Sequence, residues 1–190
     1  GVSILHDVLK SIIQVEEGKP YNEKDLEASR EALLRFYNAL GYLETDITGI
    51  EKNIIKDDSE LELVFNIREG AQTRIKAIEF SGNENIGAPE IKNVLRLQEG
   101  MPYNVIDIGD ARYRIISLYS RYGYIDAQVE VDSDIDGDSA SIKFRIKENK
   151  PSVIGKIIFR GNRKTKLKIL ERELTMNEGA PFNYEELYNT

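Results

Sequence analysis

Between Tyr124 and Ile146 apolar and polar residues alternate along the chain. Ile125, Ala127, Val129 and Val131 fall on one face of a strand, and Asp126, Gln128 and Glu130 on the other. After a turn at Asp136-Gly137, Ile142, Phe144 and Ile146 keep the same period in a second strand. Clean alternation predicts a sheet with one face on a core and one in water. Upstream the period becomes helical. Ile108, Ala111, Ile115, Leu118 or Tyr119, and Tyr122 form one stripe, and a shorter stripe of Ile91, Val94 and Leu95 follows Pro89, a residue favoured in a first helical turn. Earlier still, Arg74 to Phe80 reads as a strand with Ile78 and Phe80 inward. It is turned by Gly82-Asn83, residue types that tolerate positive φ. Residues 73 to 148 therefore predict the order strand, helix, helix, strand, strand.

Local punctuation supports these elements. Glu99-Gly100-Met101-Pro102 is expected to stop the short helix at Gly100 and to extend the chain at Pro102. Asn104 is a good N-cap, and Asp107 three residues later resembles a capping box. Gly123 is expected to stop the long helix.

The same signals recur. Glu17-Gly18-Lys19-Pro20-Tyr21-Asn22 returns as Glu99-Gly100-Met101-Pro102-Tyr103-Asn104 and as Glu178-Gly179-Ala180-Pro181-Phe182-Asn183, at offsets of 82 and 79 residues. Gly41-Tyr42 recurs as Gly123-Tyr124, and Phe80-Ser81-Gly82-Asn83 as Phe159-Arg160-Gly161-Asn162. Phe65-Asn66-Ile67-Arg68-Glu69 recurs as Phe144-Arg145-Ile146-Lys147-Glu148. Such self-similarity marks a repeat architecture, each repeat being one structural unit. The first copy answers the long helix with Leu26, Leu33, Tyr37 and Leu40, and the last strand with Leu61, Leu63, Phe65 and Ile67. Its Leu9, Ile12 and Ile13 stand where Ile91, Val94 and Leu95 stand later. Caps recur as Asn22 with Asp25 and as Asn183 with Glu186.

These matches predict three segments: residues 1–70, a repeat lacking its first strand; residues 71–150, a complete repeat; and residues 151–190, the N-terminal half of a further one. The fold class expected is α+β, built from β-α-α-β-β repeats, each a three-stranded mixed sheet covered on one face by two helices. The joints are only a few residues long, so neighbouring repeats are expected to take a limited range of angles. A start at Gly1 without Met reads as an excised piece of a longer chain.

Composition narrows the function. Apolar residues make up 41% and charged residues 31%, the balance of ordinary globular material. No stretch approaches the roughly 20 apolar residues that cross a bilayer as a helix. Without cysteine, disulfides, thiol catalysis and thiolate metal sites are excluded. The net charge of −7, with both signs reading as interleaved, gives no basic stripe and argues against a nucleic-acid partner.

Candidate chemistry is sparse. His6 is the sole histidine and has no partner in the sequence for catalysis or metal binding. Asp132-x-Asp134-x-Asp136-Gly137 matches the first half of a calcium loop, but Lys143 stands where the closing Glu belongs and the segment joins two strands. The first copy offers only Asp57-Asp58-Ser59 there. No nucleotide-binding glycine motif or nucleophile elbow is present. Tyr21, Tyr37, Tyr42, Tyr103, Tyr119, Tyr122 and Tyr124 read as core and turn packing. No cofactor and no enzyme activity are expected.

The β-α-α-β-β order, the Phe-x-Gly-Asn turn, the Glu-Gly-x-Pro-[Tyr/Phe]-Asn helix entry and the helix exits Tyr37-Asn38-Ala39-Leu40-Gly41-Tyr42 and Tyr119-Ser120-Arg121-Tyr122-Gly123-Tyr124 together resemble POTRA (polypeptide-transport-associated) repeats. The resemblance covers essentially the whole chain and points to the POTRA-repeat region of the BamA outer-membrane protein assembly factor family. It implies a periplasmic scaffold anchored to the outer membrane through a C-terminal β-barrel outside this sequence. The implied partners are unfolded outer-membrane proteins, periplasmic chaperones, accessory lipoproteins and that barrel. TamA-like or two-partner-secretion arrays, and a regulatory module attached to an enzyme, are the alternatives. The resemblance also makes the strand after the long helix an edge strand. An open edge presents unpaired N–H and C=O groups that can accept an added strand. The candidate partner-binding residues are Leu43, Thr45 and Ile47 in the first copy, and Tyr124, Asp126, Gln128 and Glu130 in the second.

Overall fold

A computed structural model describes residues 2–55, 60–174 and 176–183. Two compact units divide the chain: residues 1–76, 100–106 and 135–140 form the first, and residues 77–99, 107–134 and 141–190 the second.

The first unit opens with helices α1 (Val2–Ile12) and α2 (Glu23–Ala39), followed by strands β1 (Asp46–Ile55) and β2 (Glu60–Arg68). Asn22 caps α2 as its sequence predicts, its side chain accepting from the Lys24 N–H at 3.0 Å. Leu26, Leu33 and Tyr37 are buried. Ser29 is also fully buried, its hydroxyl donating to the Asp25 carbonyl at 2.6 Å and accepting from the Gln14 N–H at 2.8 Å. Leu40, expected on the buried face, instead caps the helix end and is exposed. β1 and β2 pair antiparallel from Asp46 opposite Arg68 to Ile55 opposite Glu60, with a bulge at Thr48. Leu61, Leu63, Phe65 and Ile67 are only half-buried, because this sheet has two strands among the described residues and nothing flanks β2 on its far side. His6 lies in α1, its side chain outside the description, and Asp57, Asp58 and Ser59 lie outside the described residues.

The complete repeat has strand β3 (Arg74–Ser81), helices α3 (Ala88–Leu95) and α4 (Val105–Arg121), and strands β4 (Gln128–Asp136) and β5 (Ser139–Lys147). The sheet order is β3-β5-β4. β3 and β5 run parallel: the Arg74 N–H at the start of β3 donates to Asp138 O just before β5, while Gly82 beyond β3 lies against the Ile146 carbonyl near the end of β5. β4 and β5 form a hairpin through the two residues Gly137 and Asp138, so the sheet is mixed. The predicted inward residues Ile142, Phe144 and Ile146 are buried, as are Ile108, Ala111, Ile115, Leu118 and Tyr119 on α4. Tyr122 is not; it stands just past α4, 46% exposed. α3 ends at Leu95, short of Gly100. Arg96 takes the left-handed cap position at φ 56°, and Arg114 donates to the Leu95 carbonyl at 3.3 Å, supplying a donor to an orphan helix-end acceptor. Residues 153–160, aligned with β3, form no strand beyond a single bridge between Val153 and Pro181 that mirrors Arg74 with Pro102; no β5-like partner stands beside them among the described residues. A short helix α5 (Leu167–Glu173) follows. Glu186, the expected cap partner of Asn183, lies outside the described residues.

A repeated tie anchors the long helix to the end of the last strand. Tyr119 is fully buried, and its hydroxyl donates to Glu148 Oε1 at 2.8 Å. Tyr37 donates to Glu69 Oε1 at 2.9 Å in the first unit. Each tyrosine meets the next one edge-on, Tyr119 with Tyr124 at 5.8 Å and Tyr37 with Tyr42 at 5.9 Å. Glu148 is 7% exposed and also accepts from the Asn85 N–H at 2.9 Å and from the Asn85 side chain. Burial by itself would raise its carboxyl pKa; the donors of Asn85, Tyr119 and Ile86 outweigh that and hold it below the usual 4.5. Burial and the neighbouring carboxylate push Tyr37 up to about 12 and raise Tyr119 as well.

A second repeated feature closes each helix exit. In the first unit the Gly41 carbonyl accepts from the Thr73 N–H at 2.8 Å, and the Thr73 carbonyl from the Tyr103 N–H at 2.9 Å. In the second unit Gly123, Ser152 and Phe182 repeat this at 2.7 and 2.9 Å. Gly41 and Gly123 both sit at φ +87°, and a Cβ there would lie 2.7 Å from Thr73 O or 2.8 Å from Ser152 O. Gly100 shares that φ but has open space around it.

Two predictions follow from these ties. Gly123→Ala combines left-handed strain with a backbone clash, and is expected to lower stability in urea denaturation by about 2 kcal/mol more than Gly100→Ala, which carries the strain alone. Glu148 has a depressed folded-state pKa. Its stabilisation is therefore present above pH 4.5 and lost as the pH falls through the folded value. Acid denaturation followed by circular dichroism should show a shallower loss of stability below pH 4.5 in Glu148→Gln than in the parent.

Candidate strand-accepting edge

Among the described residues β4 is an outer strand of the β3-β5-β4 sheet, with β5 as its one strand neighbour. Its position follows from the chain path: α4 leads into β4, and the short hairpin then places β5 in the middle, beside β3. The sequence-predicted edge residues divide into two groups. Gln128 and Glu130 lie in β4 with exposed side chains, and Ile47 lies in β1 with a buried one. Leu43, Thr45, Tyr124 and Asp126 lie in turns before the strands, which begin at Asp46 and Gln128 rather than at the helix exits. Beyond Gly41 and Gly123 the chain makes a further tight turn, with the Thr45 N–H reaching Tyr42 O at 3.4 Å and the Ala127 N–H reaching Tyr124 O at 3.1 Å.

Those turns are already held from within. The Thr45 hydroxyl shares its one O–H between Tyr42 O at 3.0 Å and Glu69 O at 2.9 Å. Asn149 donates from its side chain to Asp126 O at 2.7 Å, and Tyr124 packs against Tyr119. Backbone groups consumed this way are not offered to a partner. What remains of this edge is the strand proper, from Gln128 to Asp136 in β4.

The wet face of the sheet is laced with charge. Arg145 on β5 pairs with Glu130 at 3.7 Å and with Asp132, and Lys143 lies 3.9 Å from Glu79 on β3. Exposed pairs of this kind contribute little stability. They keep the outer face polar while the backbone edge stays the distinctive feature. Asp132, Asp134 and Asp136, which resemble half a calcium loop, are strand residues, and the described residues hold no cluster of three or more His, Cys, Asp or Glu side chains suited to a metal. Ile135 at the far end of β4, and Ile54 and Ile55 at the far end of β1, are exposed.

Sequence reading missed two features. Arg112 on α4 donates through Nε to the carbonyl of Val129 in β4 at 2.6 Å; the only sequence signal is that Arg30 stands 82 residues before it. The expectation of interleaved charge also fails between Lys150 and Lys168. There Lys150, Lys156, Arg160, Arg163, Lys164, Lys166 and Lys168 are exposed with no acidic residue among them, as a charge count over a short window reveals.

Comparison with known proteins gives concordant matches. A family model for POTRA, described as a surface antigen variable number repeat, matches residues 1–70, 73–149 and 152–190. The outer membrane protein assembly factor BamA of Buchnera aphidicola is 27% identical over 165 residues, covering 86% of this chain and 27% of that protein. BamA of Neorickettsia risticii is 25% identical over 163 residues, covering 83% of this chain and 21% of that protein. The chain thus spans about a quarter of the length of these curated relatives. The crystal structure of Haemophilus influenzae BamA POTRA3-5 superposes with a TM-score of 0.54 at 18% identity, covering 96% of this chain and 76% of that one. The N-terminal domain of Omp85 from Thermosynechococcus elongatus does so with a TM-score of 0.51 at 16% identity, covering 97% and 76%. Both share the mixed α+β fold described above. No helix among the described residues is long and apolar enough to cross a membrane. With the family model matching nearly all of its length, the chain belongs to the POTRA family and resembles the POTRA region of BamA.

Proposed function

We propose that this chain is a periplasmic, non-enzymatic scaffold that receives extended segments of unfolded outer-membrane proteins during their assembly into the outer membrane. Its three family-matched spans act as successive repeats, and accessory subunits and chaperones dock on the same array. The observation that carries this reading is the outer edge of β4, flanked by one strand among the described residues and lying on an exposed surface. Backbone pairing along such an edge is sequence-tolerant, which suits a handler of many different clients. Outer-membrane strands of about 10 residues with alternating apolar and polar side chains fit it in length and in period. Exposed Ile135 gives an added strand an apolar contact near its far end. Anchoring to the outer membrane through a C-terminal barrel belongs to the same proposal; the BamA relatives are named as outer membrane protein assembly factors.

The test uses a fluorescent peptide of about 10 alternating apolar and polar residues. In an antiparallel strand alternate residues direct their N–H and C=O to the same side. Val129, whose carbonyl is taken from α4, and Ser133 share that side. Ser133 is exposed, so Ser133→Pro removes an outward N–H without emptying the core. Anisotropy titration is expected to show weak binding by the parent chain and at least a fivefold loss, by roughly the value of one or two hydrogen bonds, in Ser133→Pro. A folded Ser133→Pro chain that binds the peptide as the parent does would overturn the strand-accepting reading.

A further inference from the structure

Arg112 and Arg30 occupy equivalent positions on the long helices of two repeats, yet they do different things. Arg30 donates through Nη1 to Glu27 Oε1 on its own helix, at 3.2 Å. The position equivalent to Glu27 is Gly109. With no carboxylate there, Arg112 reaches off the helix and donates through Nε to the Val129 carbonyl at 2.6 Å. Its guanidinium carbon lies 5.4 Å from the ring of Tyr113, which gives the cation a second contact. Val129 is in the edge strand, two residues after its turn. A carbonyl engaged in the β4–β5 ladder lies between two strands; one taken by a side chain from α4 is turned to the open side.

We propose that Arg112 is a displaceable latch on the accepting edge of β4. It occupies the first outward carbonyl of the strand until the N–H of an incoming segment takes its place, and Gly109 leaves it free to do so. The latch rests on the strand-accepting reading above and adds a residue that sets how readily that edge opens. It also guards the edge. An unpaired strand edge invites pairing with other chains, and a charged side chain across it discourages casual association. A client segment that supplies several backbone hydrogen bonds in register displaces one guanidinium bond; a chance contact supplying one does not. The two repeats are unequal in this respect, since Glu27 keeps Arg30 on its helix.

Two variants remove the latch by different chemistry. Arg112→Leu deletes the donor. Gly109→Glu restores the carboxylate that holds Arg30 in the first repeat, and a Cβ at 109 meets nothing within 4 Å. Glu also favours helix more than Gly does. With the same alternating peptide and the same 190-residue chain, each variant is expected to bind at least about tenfold more tightly than the parent, the value of one charged hydrogen bond no longer to be displaced. The Arg112 Nε–H resonance should exchange slowly with solvent in the parent and rapidly in Gly109→Glu. Unchanged or weaker binding by both variants overturns the latch. If the parent binds and Ser133→Pro abolishes binding while the latch variants match the parent, only the latch fails. If neither parent nor variants bind, the strand-accepting reading fails and takes the latch with it.

Discussion

The buried hydrogen bond from Tyr119 to Glu148 ties the long helix to the end of the last strand, and the helix exit and the turn after β3 are built around it. A tyrosine near the end of the long helix and a glutamate just after the last strand are 29 residues apart, and their pairing sets where the helix sits over the sheet. Burying a carboxylate is costly unless its oxygens are satisfied. Here Asn85, just after β3, supplies two further donors, so one side chain gathers the ends of α4, β5 and the turn after β3. Tyr124 then stacks edge-on against Tyr119, and the path into β4 follows. Tyr37, Glu69 and Tyr42 reproduce this in the first unit, where Tyr37 is buried but its acceptor Glu69 is exposed.

That anchoring has a consequence for the edge. With β5 in the middle of the sheet, β4 is left outside, and its backbone must be satisfied by water, by side chains or by another chain. The chain uses all the means it carries itself near the strand's start: Asn149 takes Asp126 O and Arg112 takes Val129 O. Farther along, from Val131 to Ile135, the described structure shows no such device. The two ends of the strand therefore differ: its start is held by side chains, and its hairpin end is not held that way among the described residues. In the first unit a bulge at Thr48 disrupts the ladder at the corresponding end of β1.

Much of this was legible beforehand because it depends on local chemistry. The alternation of Ile142, Phe144 and Ile146, the Asn22 cap, and the turns at Gly41 and Gly123 are set by neighbours within a few residues. Repetition at 82 and 79 residues then multiplied each weak signal. The misses share one physical cause. Tyr124 and Asp126 fall in a strand by alternation, and Leu43 and Thr45 by their place in the repeat, but a second tight turn, tied through Thr45 to Glu69 O and by Asn149 to Asp126 O, delays both strands. α3 stops at Leu95 rather than Gly100 because Arg114, 19 residues onward, supplies the cap donor. Tyr122 fits a helical stripe by spacing yet falls just past the last turn and faces water.

The sequence by itself determined the repeat, the order of its elements, the faces that are buried and the family they belong to. Periodicity and turn chemistry act over a few residues and need no partner from elsewhere. Only the tertiary structure decided that β5 lies between β3 and β4, that Glu148 is the buried acceptor for donors from three residues, and that Arg112 closes one carbonyl of the edge while Arg30 stays on its helix. Those outcomes turn on which donor comes within about 3 Å of which acceptor. The spacing of residues along the chain does not specify that distance; packing of the folded layers does.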